Sequence, residues 1–478
     1  MVFSSLFFVF FFLVLNIISQ VFLKDTRSKN IAMLIFSLVF YSWGGPRYLL
    51  LLMGMAAISW IGAICIERTR TKTGHKAAMI ITVAACLAIL AIFKYTGFFL
   101  TTVKNIVGVP KVIPEIALPI GISFYTFQLI SYVVDVYRRD TEAQRSYWML
   151  LLYASLFHQC IAGPIVRYKD VITDLEKRKT KTSEISRGVS RFSIGLAKKA
   201  ILANGCASLA DSLLQGTAAE MAAVPATGVM LSSLAYMLEI YLDFSAYSDM
   251  AIGMGLMCGL HYKENFNYPY ISRSVTEFWR RWHISLSMFF RDYVYIPLGG
   301  SRCSLRRQIF NLIVVWSLTG LWHGASWNFV IWGLGYGVLL MIERYVIGKD
   351  RWKNVPAPVS HLVVLLIVYV GWILFRFTDR ASLATVLKGL FCLNGNAFTS
   401  TSVAITFKNY IFFLIFCCVA CTPLGVNLMN WIRQTARNAD RLRIVLAAWD
   451  VIYPTALLIL SAMALAGDSY NPFLYFQF

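Results

Sequence analysis

Unbroken apolar runs of about twenty residues recur along this chain, and a helix of about twenty residues is what spans a hydrocarbon core of about 30 Å. Phe3–Leu23, Tyr48–Ile66, Ala77–Leu100, Ile116–Val136 and Leu446–Leu465 are such runs. Strands of a transmembrane barrel would alternate apolar and polar residues instead. Composition agrees: 58% of the 478 residues are hydrophobic and 14% are charged, against about 25% charged in a soluble domain. Such a chain lacks the polar surface to cover itself in water. A secreted disulfide scaffold, a disordered chain and an ordinary cytosolic enzyme are thereby excluded. The fold class is all-α, a polytopic integral membrane protein. The runs predict about ten to thirteen membrane segments in one domain over 1–478, with the motif-bearing core at about 118–344.

The net charge is +20, and it belongs to topology rather than to nucleic acid. Basic residues cluster in short loops between apolar runs, as the positive-inside rule requires. If Lys24–Lys29 and Arg68–Lys76 are cytoplasmic, the N-terminus is extracytoplasmic, in an inner or plasma membrane. Arg138, Arg139 and the stretch Arg167–Lys199 then fall inside, yet the apolar run Trp148–Ile165 lies between them. With His158, Gln159, Gly163 and Pro164, that run suits a re-entrant segment lining a cavity. One loop that breaks the rule would explain the same charges. The cysteine pair Cys418 and Cys421 lies in the run Tyr410–Cys421 with no histidine near it, which points to packing and not to a metal.

Few residues are placed to do chemistry. His323 lies within the mostly apolar run Phe310–Ile342. An ionisable group at membrane depth is costly and is a functional candidate; desolvation favours the neutral imidazole that a general base needs. Gly320 and Gly324 flank it and leave room for substrate or a helix break. A buried histidine bonded to a carbonyl is the bland alternative. His283 is the second candidate. Drawn as one helix, Val275, Phe278, Trp279, Trp282, Leu286, Phe289 and Phe290 form an apolar stripe, with Arg280, Arg281 and Arg291 opposite. That is the pattern of an interfacial helix. The three arginines, extended by Arg302, Arg306 and Arg307, suit donor phosphates, although topology explains the charges as well. Glu239 and Asp243 share one helical face and, with Asp249, make an acidic patch that pairs helices, orients a histidine or carries a cation. The chain has no phosphate-cradling GxxxxGK[ST], no GxGxxG and no HExxH, so nothing supports ATP-driven transport, dinucleotide chemistry or zinc proteolysis.

The stretch Asp243-Phe244-Ser245-Ala246-Tyr247-Ser248-Asp249-Met250-Ala251-Ile252-Gly253 resembles the signature of the membrane-bound O-acyltransferases. In order around it stand Leu118–Gln128, Ile161–Ile165, Glu264–Tyr270, Phe278–His283, Arg291–Tyr293, Ile296–Gly300 and Gly320–Gly324. These blocks look most like the branch that O-acetylates alginate, and more distantly like the branch that D-alanylates teichoic acids. The resemblance implies a ring of tilted helices with re-entrant segments around a central intramembrane funnel. It implies that His323 is the essential intramembrane histidine and His283 the supporting one. One departure is Phe157-His158-Gln159, where relatives usually carry Phe-Pro-Gln.

The expected reaction moves an acyl group, acetyl first among the candidates, from a cytoplasmic thioester such as acetyl-CoA to an extracytoplasmic hydroxyl. No permanently bound cofactor or metal is expected. His323 would take the hydroxyl proton, and His283 would hold the donor or stabilise charge on the carbonyl oxygen. Trp316, Trp322 and Trp327 would exclude water. D-alanyl or longer-chain transfer is an alternative. A proton- or ion-coupled transporter using Glu239, Asp243 and His323 is another, but the paired repeats of transporters are not visible. A scaffold that only recruits partners would leave both histidines dispensable. The candidate outer loops, near 101–115, 215–226 and 394–406, are short. A second extracytoplasmic protein that accepts the acyl group or presents a cell-surface polysaccharide is therefore expected.

Overall fold

The computed structural model describes residues 1–108, 116–161, 163–348, 352, 354–436, 440–467 and 474. Every regular element among these residues is helical. Among the described residues, seven helices are long and apolar enough to cross a bilayer: Pro46–Arg68, Lys72–Val107, Ala226–Met257, Trp327–Ile347, Ala357–Arg376, Thr401–Ala420 and Asp440–Gly467. The protein is an all-α, multi-pass membrane protein. Several of the remaining apolar runs form shorter helices, such as Thr26–Ser42 and Ile122–Arg138, each 17 residues long. Chain punctuation is local. Asp25 accepts the Ser28 N–H and opens Thr26–Ser42, and Thr71 accepts the Gly74 N–H and opens Lys72–Val107.

Two expected runs fold differently. Trp148–Ile165 is not one helix: Tyr147–Ser155 has nine residues, the backbone kinks at Leu156, and Phe157–Cys160 is a single turn. Nine residues rise about 14 Å, less than half of a hydrocarbon core. Its irregular backbone is enclosed by protein, where such a conformation is tolerated. Phe310–Ile342 is also interrupted. Leu305–His323 ends at Gly324, whose backbone is extended, and Ser326 caps the helix Trp327–Met341. His323 therefore closes a helix instead of sitting mid-span.

The chain gathers into two compact units that interleave in sequence. The first holds Met1–Phe192, Tyr247–Glu264 and Ser285–Leu298; the second holds Ser193–Ala246, Asn265–Ile284 and Gly299–Phe478. The core of the second unit is aromatic, with Phe278, Trp279, Trp282, Trp332 and Trp372 all buried. In lipid, close packing and hydrogen bonding drive such association more than water exclusion does. Each aromatic pair contributes about 0.5–1.5 kcal/mol beyond its area.

Candidate active site

His283 and His323 both lie in the second unit. The single amphipathic helix expected over 275–290 is instead two, Val275–Arg281 and Ile284–Phe290. Trp282 between them is extended, and His283 is left-handed, with φ +44°. The neighbouring segment enforces this break. The Asn267 N–H bonds the Arg281 carbonyl at 2.9 Å, and the Ile284 N–H bonds the Asn265 carbonyl at 2.9 Å. Backbone pairing on both sides of His283 thus overrides helical continuity. The apolar stripe was correctly identified but its environment was not: Val275, Phe278, Trp279, Trp282, Leu286, Phe289 and Phe290 are buried in protein and not in lipid.

A left-handed non-glycine residue costs about 1–2 kcal/mol, and such strain gathers at functional positions. We expect His283→Gly to be more stable than His283→Ala by about 1 kcal/mol, the reverse of the order in a helix interior. Thermal unfolding of the two variants in detergent measures the difference. Equal stability, or a more stable alanine variant, would remove the strain from the account.

The His283 ring is enclosed by Phe244, at 4.8 Å between centroids, and by Trp322, at 5.4 Å, both edge-on. His323 packs against the same Trp322 at 5.0 Å, and against Trp332 at 5.2 Å and Phe375 at 5.1 Å. Trp322 is therefore shared by the two imidazoles, and all three side chains are buried. The histidines meet through one indole in an aromatic enclosure.

Glycine places His323 in this enclosure. A Cβ on Gly320 would stand 2.2 Å from the Phe329 carbonyl oxygen, and one on Gly333 would stand 2.3 Å from the Trp316 carbonyl oxygen. The helices carrying His323 and Trp332 touch backbone to backbone there. The space expected beside Gly320 and Gly324 is thus occupied: Gly320 is used for helix packing, and a Cβ on Gly324 would meet the Phe329 ring at 2.2 Å. Trp316 is buried in the same core, whereas Trp327 is 47% exposed. Trp332, Trp372 and Phe375 take that place. The sequence reading missed them, although Trp372 and Phe375 are three apart and so share a helical face. Trp279 packs on Trp316 at 4.8 Å and on Tyr336 at 4.9 Å, within the same core.

The acidic residues do not form one patch. Asp243 pairs with Lys199 at 2.8 Å, both side chains being 2% exposed, and it also accepts the Leu474 N–H at 2.9 Å. Glu239 lies buried one turn before Asp243 in the second unit. Asp249 belongs to the first unit and pairs with Arg191 at 2.6 Å, which also holds Glu264. Lys199 was not singled out in the sequence, where it read as one more topology charge. It lies on a π-helical turn, Lys198–Ala203. Removing one partner of a buried pair costs about 3–5 kcal/mol. Lys199→Met should show that loss in thermal unfolding, and adding Asp243→Asn, which keeps an acceptor for the Leu474 N–H, should recover most of it. A double variant no more stable than Lys199→Met would count against the pairing.

The three arginines also separate. Arg280 is exposed. Arg281 is held by Glu277 at 2.9 Å and by the Asn267 carbonyl at 3.0 Å. Arg291, in the first unit, binds Asp292, which also takes Arg167 at 2.7 Å. Burial would raise the Asp292 carboxyl, but hydrogen bonds from Arg291 and Arg167 outweigh it and hold that group below the ordinary carboxylate range. Among the described residues, no group of three histidine, cysteine or acidic side chains is arranged to hold a metal.

Residues 144–375 match the profile of the membrane-bound O-acyltransferase family. The chain is 36% identical to a probable alginate O-acetylase of Pseudomonas aeruginosa, over the full length of both proteins. It is 33% identical to a peptidoglycan O-acetyltransferase of Helicobacter pylori, over 83% of this chain and 80% of that protein. A teichoic acid D-alanyltransferase of Bacillus subtilis is 26% identical over 54% of this chain and 67% of its own. Full-length identity at this level, on a chain whose buried histidines share one indole, has one reading: the protein is an acyltransferase of the membrane-bound O-acyltransferase family, in the branch of the alginate O-acetylases.

Proposed function

We propose that this enzyme takes an acetyl group from a cytoplasmic thioester, acetyl-CoA being the simplest donor, and delivers it to an extracytoplasmic hydroxyl serving a cell-surface polysaccharide. The observation that carries this reading is Trp322 shared between His283 and His323 in a buried aromatic enclosure. His323 accepts the proton as the acceptor oxygen attacks the thioester carbonyl. The C–S bond then breaks, and the thiolate takes the proton back from the imidazolium. His283, fixed by its backbone, donates a hydrogen bond to the carbonyl oxygen as charge develops. The tryptophan wall excludes the water that would hydrolyse the thioester. Acetyl transfer is favoured over D-alanyl transfer by the full-length O-acetylase relatives, where the D-alanyltransferase match covers about half of the chain. Arg280 is exposed and pairs with no carboxylate among the described residues, unlike Arg281 and Arg291, and we assign it to the donor phosphates.

The immediate acceptor is a second, extracytoplasmic protein. Two of the three outer loops support this. The segment 215–226 holds only the capped turn Ala218–Ala222, and it is tied to the other loop: the Ala226 N–H bonds the Ala397 carbonyl at 3.0 Å and the Thr227 N–H bonds the Phe398 carbonyl at 2.9 Å. Loops tied to each other leave little to grip a polymer. Of the third loop, residues 109–115 lie outside the described residues. The test is the purified chain in vesicles, with labelled acetyl-CoA inside and polysaccharide outside. Little label should reach the polymer until an extract containing periplasmic or surface proteins is added. Efficient acetylation without it would overturn the partner, and solute uptake without acyl transfer would overturn the reaction.

A further inference from the structure

The first unit holds a buried cation that the acyl-transfer chemistry does not use. Arg178 follows the helix Tyr168–Glu176 and is 5% exposed. Its Nη1 donates to the Gln20 Oε1 at 2.7 Å. Gln20 is itself oriented, since its Nε2 donates to the Lys29 carbonyl at 3.2 Å. The Nε and Nη2 of Arg178 are buried and have no hydrogen-bond partner among the described residues. These two nitrogens form the side edge of the guanidinium, the edge that presents two parallel N–H groups to two oxygens of one anion.

Among the described residues, no carboxylate pairs with this edge. Asp174, one of three acids on the same helix, accepts from the His261 backbone N–H at 2.9 Å and lies 3.0 Å from its ring Nδ1, and Asp170 holds Lys263 at 2.6 Å. Glu184 lies 3.6 Å from the same ring and caps Lys181. A buried guanidinium with no paired carboxylate is strongly disfavoured, and burial pushes Arg178 below its ordinary value although Asp174 acts against it. Other donors stand nearby. The Thr180 hydroxyl is buried with no partner among the described residues. His158, also inside this field, binds Tyr262 through Nδ1 at 3.1 Å, while its buried Nε2 has no partner among the described residues. Lys24, Arg27, Lys29, Lys177 and Lys179 flank Gln20 and Arg178 in sequence, with Asp25 and Glu176 among them.

We infer that Arg178 closes a buried oxyanion site in the first unit, taking a phosphate-type group on its Nε–Nη2 edge with Thr180 as a further donor. A lipid headgroup and a free phosphate offer the same chemistry. The experiment uses the full-length protein. Its unfolding temperature is measured in uncharged detergent with inorganic phosphate against chloride at equal ionic strength, and in bilayer discs of phosphatidylglycerol against phosphatidylcholine. A rise of several degrees with inorganic phosphate identifies the free anion; a rise with phosphatidylglycerol alone identifies a headgroup. Either rise should vanish in Arg178→Gln and shrink in Arg178→Lys, which keeps the charge but loses the paired edge. Thr180→Val should weaken the response severalfold with an unchanged unfolding temperature in chloride. A wild type indifferent to both probes overturns the site even if Arg178→Gln does not fold. A response retained in full by Arg178→Lys and by Thr180→Val also overturns it.

Discussion

His323→Gln is expected to lower acyl transfer by about 10²- to 10⁴-fold, the range that a positioned general base contributes. Glutamine is the informative replacement because it approximates the imidazole in size and still fills the space against Trp322, Trp332 and Phe375. It cannot accept the proton of the attacking hydroxyl. His323→Ala should lose at least as much activity, together with some stability from the cavity it leaves. The measurement is label transfer per unit of membrane-inserted protein, so that abundance and chemistry are separated. Wild-type turnover in the glutamine variant would end the assignment of His323 as base.

The second large effect concerns Gly320. A single added methyl would lie 2.2 Å from the Phe329 carbonyl oxygen, and backbone cannot yield as a flexible side chain does. Gly320→Ala should cost about 3 kcal/mol, at the upper end of ordinary overpacking, and Gly320→Leu should leave little folded protein. Activity should fall further than stability, because the same helix ends in His323. A displacement of about 1 Å at a reacting group is worth about 10²-fold. Gly335 is the matched control, since it lies on the facing helix and a Cβ there meets nothing within 4 Å. Gly335→Ala should match the wild type, or gain up to about 1 kcal/mol from helix propensity. Equal losses at both positions would show that the close approach is not what holds His323.

The class of the protein was legible because it rests on residue identity, and His323 drew notice for the same reason, whereas position alone read His283 as part of an interfacial helix. Apolar runs state the solvent, and an isolated imidazole among them stands out. What escaped was set by tertiary partners. The period of 275–290 is helical throughout, and nothing in it announces that Asn265 and Asn267 break the helix at Trp282 and turn His283 left-handed. Glu239, Asp243 and Asp249 read as one patch because they sit on one helix, yet Asp243 and Asp249 find separate cations, Lys199 and Arg191, far off in sequence. Lys199 looked like a topology charge for the same reason, since a charge near an apolar run says nothing of its partner. Phe375 reaches His323 from another helix altogether, a contact that no spacing rule encodes.

The interleaving of the two units in the sequence has a consequence for biosynthesis. The first unit contains residues 1–192 but is completed by 247–264 and 285–298. Roughly a hundred residues must therefore be made after Phe192 before its last segment exists, a wait of roughly 5–20 s at ordinary ribosomal speeds. During that wait the nascent helices sit in the insertion machinery with their partners still unsynthesised, Arg191 before Asp249 and Glu264, and Arg167 before Asp292. Only the portions 193–246 and 265–284 of the second unit are made in the same interval. A stop codon between 192 and 298 would thus yield no intact first unit, only an incomplete helical set with charges exposed to the quality-control proteases of the membrane.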